Sequence, residues 1–117
     1  TGRTLAHLLL RKNAVVILCE VSTLNLKEEC LKADILCVDV GKPGMITADM
    51  VKKGAVVIDL GMNVTPRGKV KGDVDFDSVK ERASYITPVP GGAGPMTVAM
   101  ILHNTVLAAK RPAKNNT

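Results

Sequence analysis

The chain has 117 residues, the length of one small domain, and 46% of them are hydrophobic, ample for one core and too short a span for two. Its net charge of +5 comes from 16 basic and 11 acidic residues interspersed with one another, and with one Tyr and one Phe there is no aromatic platform, which argues against nucleic acid as a partner. No apolar stretch is long enough to reach across a membrane, and three cysteines without CxxC spacing read as reduced core thiols, so a soluble cytoplasmic protein is expected.

In chain order, a helix is expected over residues 5–11 and, after a turn at Asn13, a continuous β-type run over 14–19. Thr23 is placed to cap a helix running to about residue 32, and a buried strand over 35–40 ends at the turn Gly41-Lys42-Pro43-Gly44. Thr47 is placed to cap a short helix that carries Asp49 in its first turn and ends at Gly54. A third apolar strand follows over 55–60, then a polar stretch over 63–71 with the turn signal Pro66-Arg67-Gly68. A helix over 75–82, a short strand over 85–87 and a last helix over 96–110 complete a domain spanning residues 1–110. Residues 111–117 are expected to form a disordered basic tail.

A core of Val, Ile, Leu, Ala and Met suits strands covered by helices, and four β runs alternating with helices predict one parallel α/β sheet with right-handed crossovers. A site then belongs at the carboxyl ends of the strands, where Gly41, Gly61 and the 88–94 run fall. The 88–94 run opens the most telling segment. Pro88, Pro90 and Pro95 fix the backbone, while Gly91, Gly92 and Gly94 let it turn tightly and approach another molecule. Thr97 is expected where the last helix begins, so that free N–H groups favour an anionic or carbonyl-bearing ligand.

Asp59 reads as an acceptor of backbone or hydroxyl hydrogen bonds, and Asp73 and Asp75 as helix caps. His7 and His103 have no Cys, Asp or Glu at ligand spacing, so no metal site is expected. The last helix is apolar on more than one face and calls for a second partner beyond the sheet.

The segments ADILCVDVGKPGMIT, GAVVIDLGMN, GDVDF and ITPVPGGAGPMTVAM resemble, in order and spacing, the carboxyl-terminal nucleotide-binding part of the bifunctional methylenetetrahydrofolate dehydrogenase/cyclohydrolase family. The resemblance implies a Rossmann-like parallel sheet with flanking helices, here lacking its first strand, whose place is central, between the runs at 14–19 and 35–40. It implies hydride transfer from methylenetetrahydrofolate to NADP, with NAD possible, followed by hydrolysis of the methenyl product to formyltetrahydrofolate. It places no catalytic residue in this chain, since the acid/base lysine, tyrosine and aspartate belong to an amino-terminal domain that shares the folate substrate. The chain alone is therefore expected to be inactive and poorly stable. A homodimer is implied, in the cytosol or, alternatively, in mitochondria.

By the same resemblance, Gly2 closes the first turn and Gly41, Gly61, Met62 and Asn63 lie beside the cofactor, Met62 through its backbone, while Thr97 contacts the nicotinamide end. Pro90, Gly91, Gly92, Ala93, Gly94, Pro95 and Met96 line the gap between cofactor and folate. Glu20, Val21 and Ser22 replace the family's usual His-Ser-Lys near the ribose phosphate. An acidic residue at the end of this strand is the general mark of NAD. Asp39 stands where the family has a small residue, and it either binds a ribose hydroxyl or opposes the pyrophosphate by like charge. These departures leave a second reading open, a non-catalytic dinucleotide-binding or interaction module derived from that enzyme.

Overall fold

A computed structural model describes residues 1–113, and the end of the expected tail, 114–117, lies outside the described residues. Three apolar runs form a parallel sheet: β1 (Ile35–Val38), β2 (Val56–Asp59) and β5 (Tyr85–Ile86), in the order β1-β2-β5. The register sets Val38 beside Asp59 and Val57 beside Ile86, so the carboxyl ends of all three strands meet at one edge of the sheet. The polar stretch folds as a hairpin of β3 (Asn63–Val64) and β4 (Val70–Lys71) around the expected turn.

The fourth β run does not join the sheet. Residues 14–19 carry no ladder partner and Val15 is 96% exposed. The doubly wound order puts a central strand between this run and β1, and no such strand lies among the described residues, so its backbone has no neighbour to pair with.

The helices are α1 (Gly2–Leu10), α2 (Leu26–Lys32), α3 (Phe76–Val79) and α4 (Ala93–Lys110), with a 3-10 turn at Ala48–Met50. Thr23 does not cap α2, because Asn25 in the left-handed region precedes the helix and the Thr23 hydroxyl instead accepts the Glu20 N–H at 2.7 Å. Glu28 and Glu29 in the first turn of α2 and Lys32 in its last complement the helix dipole. Thr47 occupies the position before the 3-10 turn, but its hydroxyl donates to Asp49 and to no backbone group.

The core is small and one-sided. Cys30, Val38, Ile46, Val51, Ala55, Val57, Val74 and Val79 are its buried apolar members, drawn from β1, β2, α2, α3 and the loops between them. None of the residues of α1 or α4 is buried, and the apolar surface that α4 turns to solvent is free for the second partner its sequence calls for. The Cα radius of gyration of 16.8 Å reflects this, against about 13 Å for a compact chain of about 100 residues. Among the described residues no helix is long and apolar enough to cross a membrane.

Candidate functional site

Three loops leave the carboxyl ends of the strands: 39–44 after β1, 60–62 after β2 and 87–92 after β5. Two buried carboxylates tie the first two together. Asp59, 3% exposed at the end of β2, accepts the N–H groups of Gly61 and Asp73 on Oδ1, at 2.9 and 3.1 Å, and that of Val74 on Oδ2 at 3.0 Å. Asp73, fully buried, accepts the N–H groups of Val40 and Gly41 on Oδ2, at 2.7 and 2.9 Å, and the Asn63 amide on Oδ1 at 2.7 Å. All four carboxylate oxygens are thus occupied by N–H donors, as buried carboxylates must be.

The third loop is held by the backbone of β2. Thr87 receives the Asp59 N–H on its hydroxyl at 2.9 Å and donates its own N–H to the Val57 carbonyl at 3.1 Å. Gly61 and Gly72 make the packing possible. A Cβ at Gly61 would overlap the Asp73 carboxyl, 2.6 Å from both oxygens, and one at Gly72 would collide with Asp59 and lie 2.9 Å from Val89 Cγ2.

Asp59 therefore does what its place in the sequence suggests, accepting backbone hydrogen bonds. Asp73 does not cap a helix, because its acceptors are turned across the sheet edge to loop 39–44, and Asp75 precedes α3 without a side-chain cap bond. Of the expected cofactor residues, the structure brings Gly41, Gly61 and Asn63 around one carboxyl group, with Met62 exposed between the last two. Both Asn63 amide bonds point inward, to Asp73 and to the Lys71 carbonyl at 3.1 Å, so of its side chain only the carbonyl oxygen remains for a ligand.

Gly2 opens α1, and the amino group of Thr1 before it lies 3.7 Å from Asp39 Oδ2, which places the start of that helix by the carboxyl end of β1. Glu20 stands exposed and accepts from Arg3 Nη2 at 2.9 Å, and Val21 and Ser22 follow it in the same exposed turn. Thr97 is displaced from its expected role. The helix begins at Ala93, four residues earlier than Thr97, whose hydroxyl donates to the Ala93 carbonyl at 3.0 Å. Ala93, Gly94 and Pro95 supply the first turn instead, and proline is well tolerated there.

The Pro90 to Met96 segment starts at a cis Val89–Pro90 peptide. Gly92 packs inward, where a Cβ would lie 2.8 Å from Thr87 Cβ and overlap the Pro88 carbonyl. Gly91 and Gly94 face open space, as do Gly2 and Gly41: a Cβ at any of these four meets no atom within 4 Å. Main chain is therefore open to close approach by a flat ligand at several points around the same edge, which is the fit a dinucleotide requires.

The sequence pointed to the glycines but not to the carboxyl pair that holds their loops, since partners 14 and 32–33 residues apart leave no local pattern. The only local trace is a glycine one residue before Asp73 and another two residues after Asp59.

A parallel α/β domain with glycine-bearing loops gathered at the carboxyl ends of its strands is a nucleotide-binding domain of the doubly wound class. The chain belongs to the tetrahydrofolate dehydrogenase/cyclohydrolase NAD(P)-binding domain family, which matches residues 1–113. Its relatives include the bifunctional protein FolD of Thermodesulfovibrio yellowstonii, 61% identical over 109 residues, which cover 93% of this chain and 38% of the relative. FolD of Nitrosospira multiformis is 59% identical over 110 residues, covering 94% of this chain and 38% of that protein. Among solved structures, the bifunctional FolD of Campylobacter jejuni superposes with a TM-score of 0.90 at 48% identity, over 93% of this chain and 39% of its own. The Trypanosoma brucei enzyme, complexed with NADP cofactor and inhibitor, gives a TM-score of 0.83 at 38% identity, over 90% of this chain and 38% of its own. The chain thus spans about two fifths of the length of these proteins.

Proposed function

We propose that this chain supplies the dinucleotide-binding side of a methylenetetrahydrofolate dehydrogenase/cyclohydrolase, an enzyme of folate one-carbon metabolism that yields methenyl- and then formyltetrahydrofolate. The observation that carries this reading is the meeting of loops 39–44, 60–62 and 87–92 at one sheet edge, with open space at Gly41, Gly91 and Gly94. NADP, or NAD, supplies the hydride acceptor when bound. Gly2, Gly41, Gly61, Met62 and Asn63 hold it, with Glu20, Val21 and Ser22 at the adenosine ribose and Thr97 toward the nicotinamide. Pro90 to Met96 line the side facing the folate.

The acid/base groups come from a further domain that shares the folate, and α4, with Met96, Val98, Ile101 and Leu102 all at least 60% exposed, offers apolar surface for that domain to cover. The full protein acts as a homodimer in the cytoplasm, a location that fits the bacterial relatives. Holding dinucleotide and folate in register is the chain's main contribution to rate, since hydride transfer depends on positioning. A second reading, a non-catalytic binding module, draws on Asp39, whose exposed carboxylate stands at the end of β1 where a pyrophosphate would lie.

Thermal melts of the chain alone, with excess NADP and with excess NAD, test the binding reading, because a ligand of the folded state raises the melting temperature by mass action. Joining the chain to the amino-terminal part of the T. yellowstonii relative tests turnover. Binding with turnover establishes the enzyme, binding without it the module, and a chain bound by neither dinucleotide in either form refutes both.

A further inference from the structure

Asp73 does more than fill a buried place. Its Oδ2 holds two consecutive N–H groups, Val40 at 2.7 Å and Gly41 at 2.9 Å, and so fixes two successive peptide planes of the loop after β1. In a trans peptide the carbonyl points opposite to the N–H. The Asp39 and Val40 carbonyls are therefore turned away from Asp73, and among the described residues neither accepts a hydrogen bond. The other carboxyl oxygen holds Asn63, and the face of the carboxyl lies against Gly61, so that one side chain touches three residues of the site proposed above.

We infer that Asp73 is the positioning residue of the dinucleotide site, orienting the Asp39 and Val40 main-chain carbonyls as a pair of acceptors for hydroxyl or amide donors of the ligand, such as ribose hydroxyls. The inference rests on the functional reading above. The chemistry follows from the donor balance: with the N–H groups of Val40 and Gly41 spent on Asp73, the 39–41 segment offers a ligand its two carbonyls as acceptors. This segment then recognises the sugar, and phosphate recognition falls to other donors of the site.

Asp73→Asn is the test, made both in the full chain and in the chain completed with the T. yellowstonii amino-terminal region. The substitution sets an amide NH2 against the Asn63 amide or against the Val40 and Gly41 N–H groups, so one set of contacts must open. NADPH binding is followed by nicotinamide fluorescence. The expected result is a rise of about tenfold or more in the NADPH Kd and in the dinucleotide KM, with kcat at saturation within about threefold of the parent. A merely structural role lowers the melting temperature and leaves Kd within twofold, which overturns the inference.

Where the variant fails to fold, hydrogen exchange in the parent decides. The Val40 and Gly41 amides are expected to exchange slowly in the free protein and more slowly still with NADPH, and rates that NADPH leaves unchanged overturn the inference. A parent that binds neither NADPH nor NADH removes the functional reading first and this one with it.

Discussion

Replacing Asp59 by Ala removes the acceptor of three backbone N–H groups, those of Gly61, Asp73 and Val74, in a place only 3% exposed. Leaving a buried donor unpaired costs about 1–3 kcal/mol, so the three together cost about 3–9 kcal/mol. Small domains hold about 5–15 kcal/mol in all, and eight buried apolar residues among those described put this chain at the low end. Asp59→Ala is therefore expected to abolish cooperative unfolding. Asp59→Asn keeps one acceptor oxygen for Gly61 and Asp73 and turns a donor toward Val74, which limits its loss to about 1–3 kcal/mol, one pairing. Urea titration followed by far-UV circular dichroism, on the chain and on the chain completed with a relative's amino-terminal region, reads both changes. An Asp59→Ala variant within about 1 kcal/mol of the parent would refute the claim that this carboxylate holds the loops.

The Lys27 hydrogen bond, and then that of Thr47, hold the Asp49 carboxyl down at about 2 from the usual 3.8. Because the folded value is depressed, the contribution of this pair is full above about pH 4 and is lost as pH falls through 2; Lys27→Met is expected to move the Asp49 midpoint back toward 3.8 in a carbon-13 NMR titration. Burial pushes all three thiols up, Cys30 with further help from Cys19 and Glu29, so at pH 8 the half-buried Cys19 is expected to react first with Ellman's reagent and Cys30 only as the chain unfolds. Sedimentation equilibrium of the isolated chain is expected to give a mass that rises above 12.4 kDa with concentration through the bare face of α4, and Val98→Glu with Leu102→Glu, one helical turn apart, to return it to monomer.

The sheet was legible because β1, β2 and the start of β5 are apolar runs bounded by turn residues, a signal local to each segment. Residues 14–19 have the same local signal and form no strand, since pairing belongs to two segments and no partner strand for them lies among the described residues. Caps failed for a related reason. Thr23 is a good cap residue and Thr97 stands after a proline- and glycine-rich run, but Asn25 in the left-handed region and the Ala93-Gly94-Pro95 turn start their helices elsewhere. The glycines of the site could be read from composition, whereas the reason for Gly61 and Gly72 could not: each is required by a carboxyl group reaching in from a segment more than ten residues away.

The molecule thus divides its two needs between two regions of the chain. At the carboxyl ends of the strands, Asp59 and Asp73 accept six hydrogen bonds, from loops 39–44 and 60–62, from Asn63 and from the backbone of residues 73 and 74, all within the described residues. The geometry of those loops is therefore set from inside and needs no covering partner. Across α1, residues 14–19 and α4 the apolar side chains have no such internal answer, with Leu8, Val15, Ile17 and Leu102 all more than half exposed. Stability must then come mainly from whatever covers these faces, because removing apolar surface from water is the dominant favourable contribution to folding. Ligand recognition and assembly are in this way separable. Substitutions at the carboxylate pair should act on dinucleotide affinity even in a fully assembled protein, while substitutions on α4 should act on assembly and leave the geometry around Gly41 and Gly61 intact.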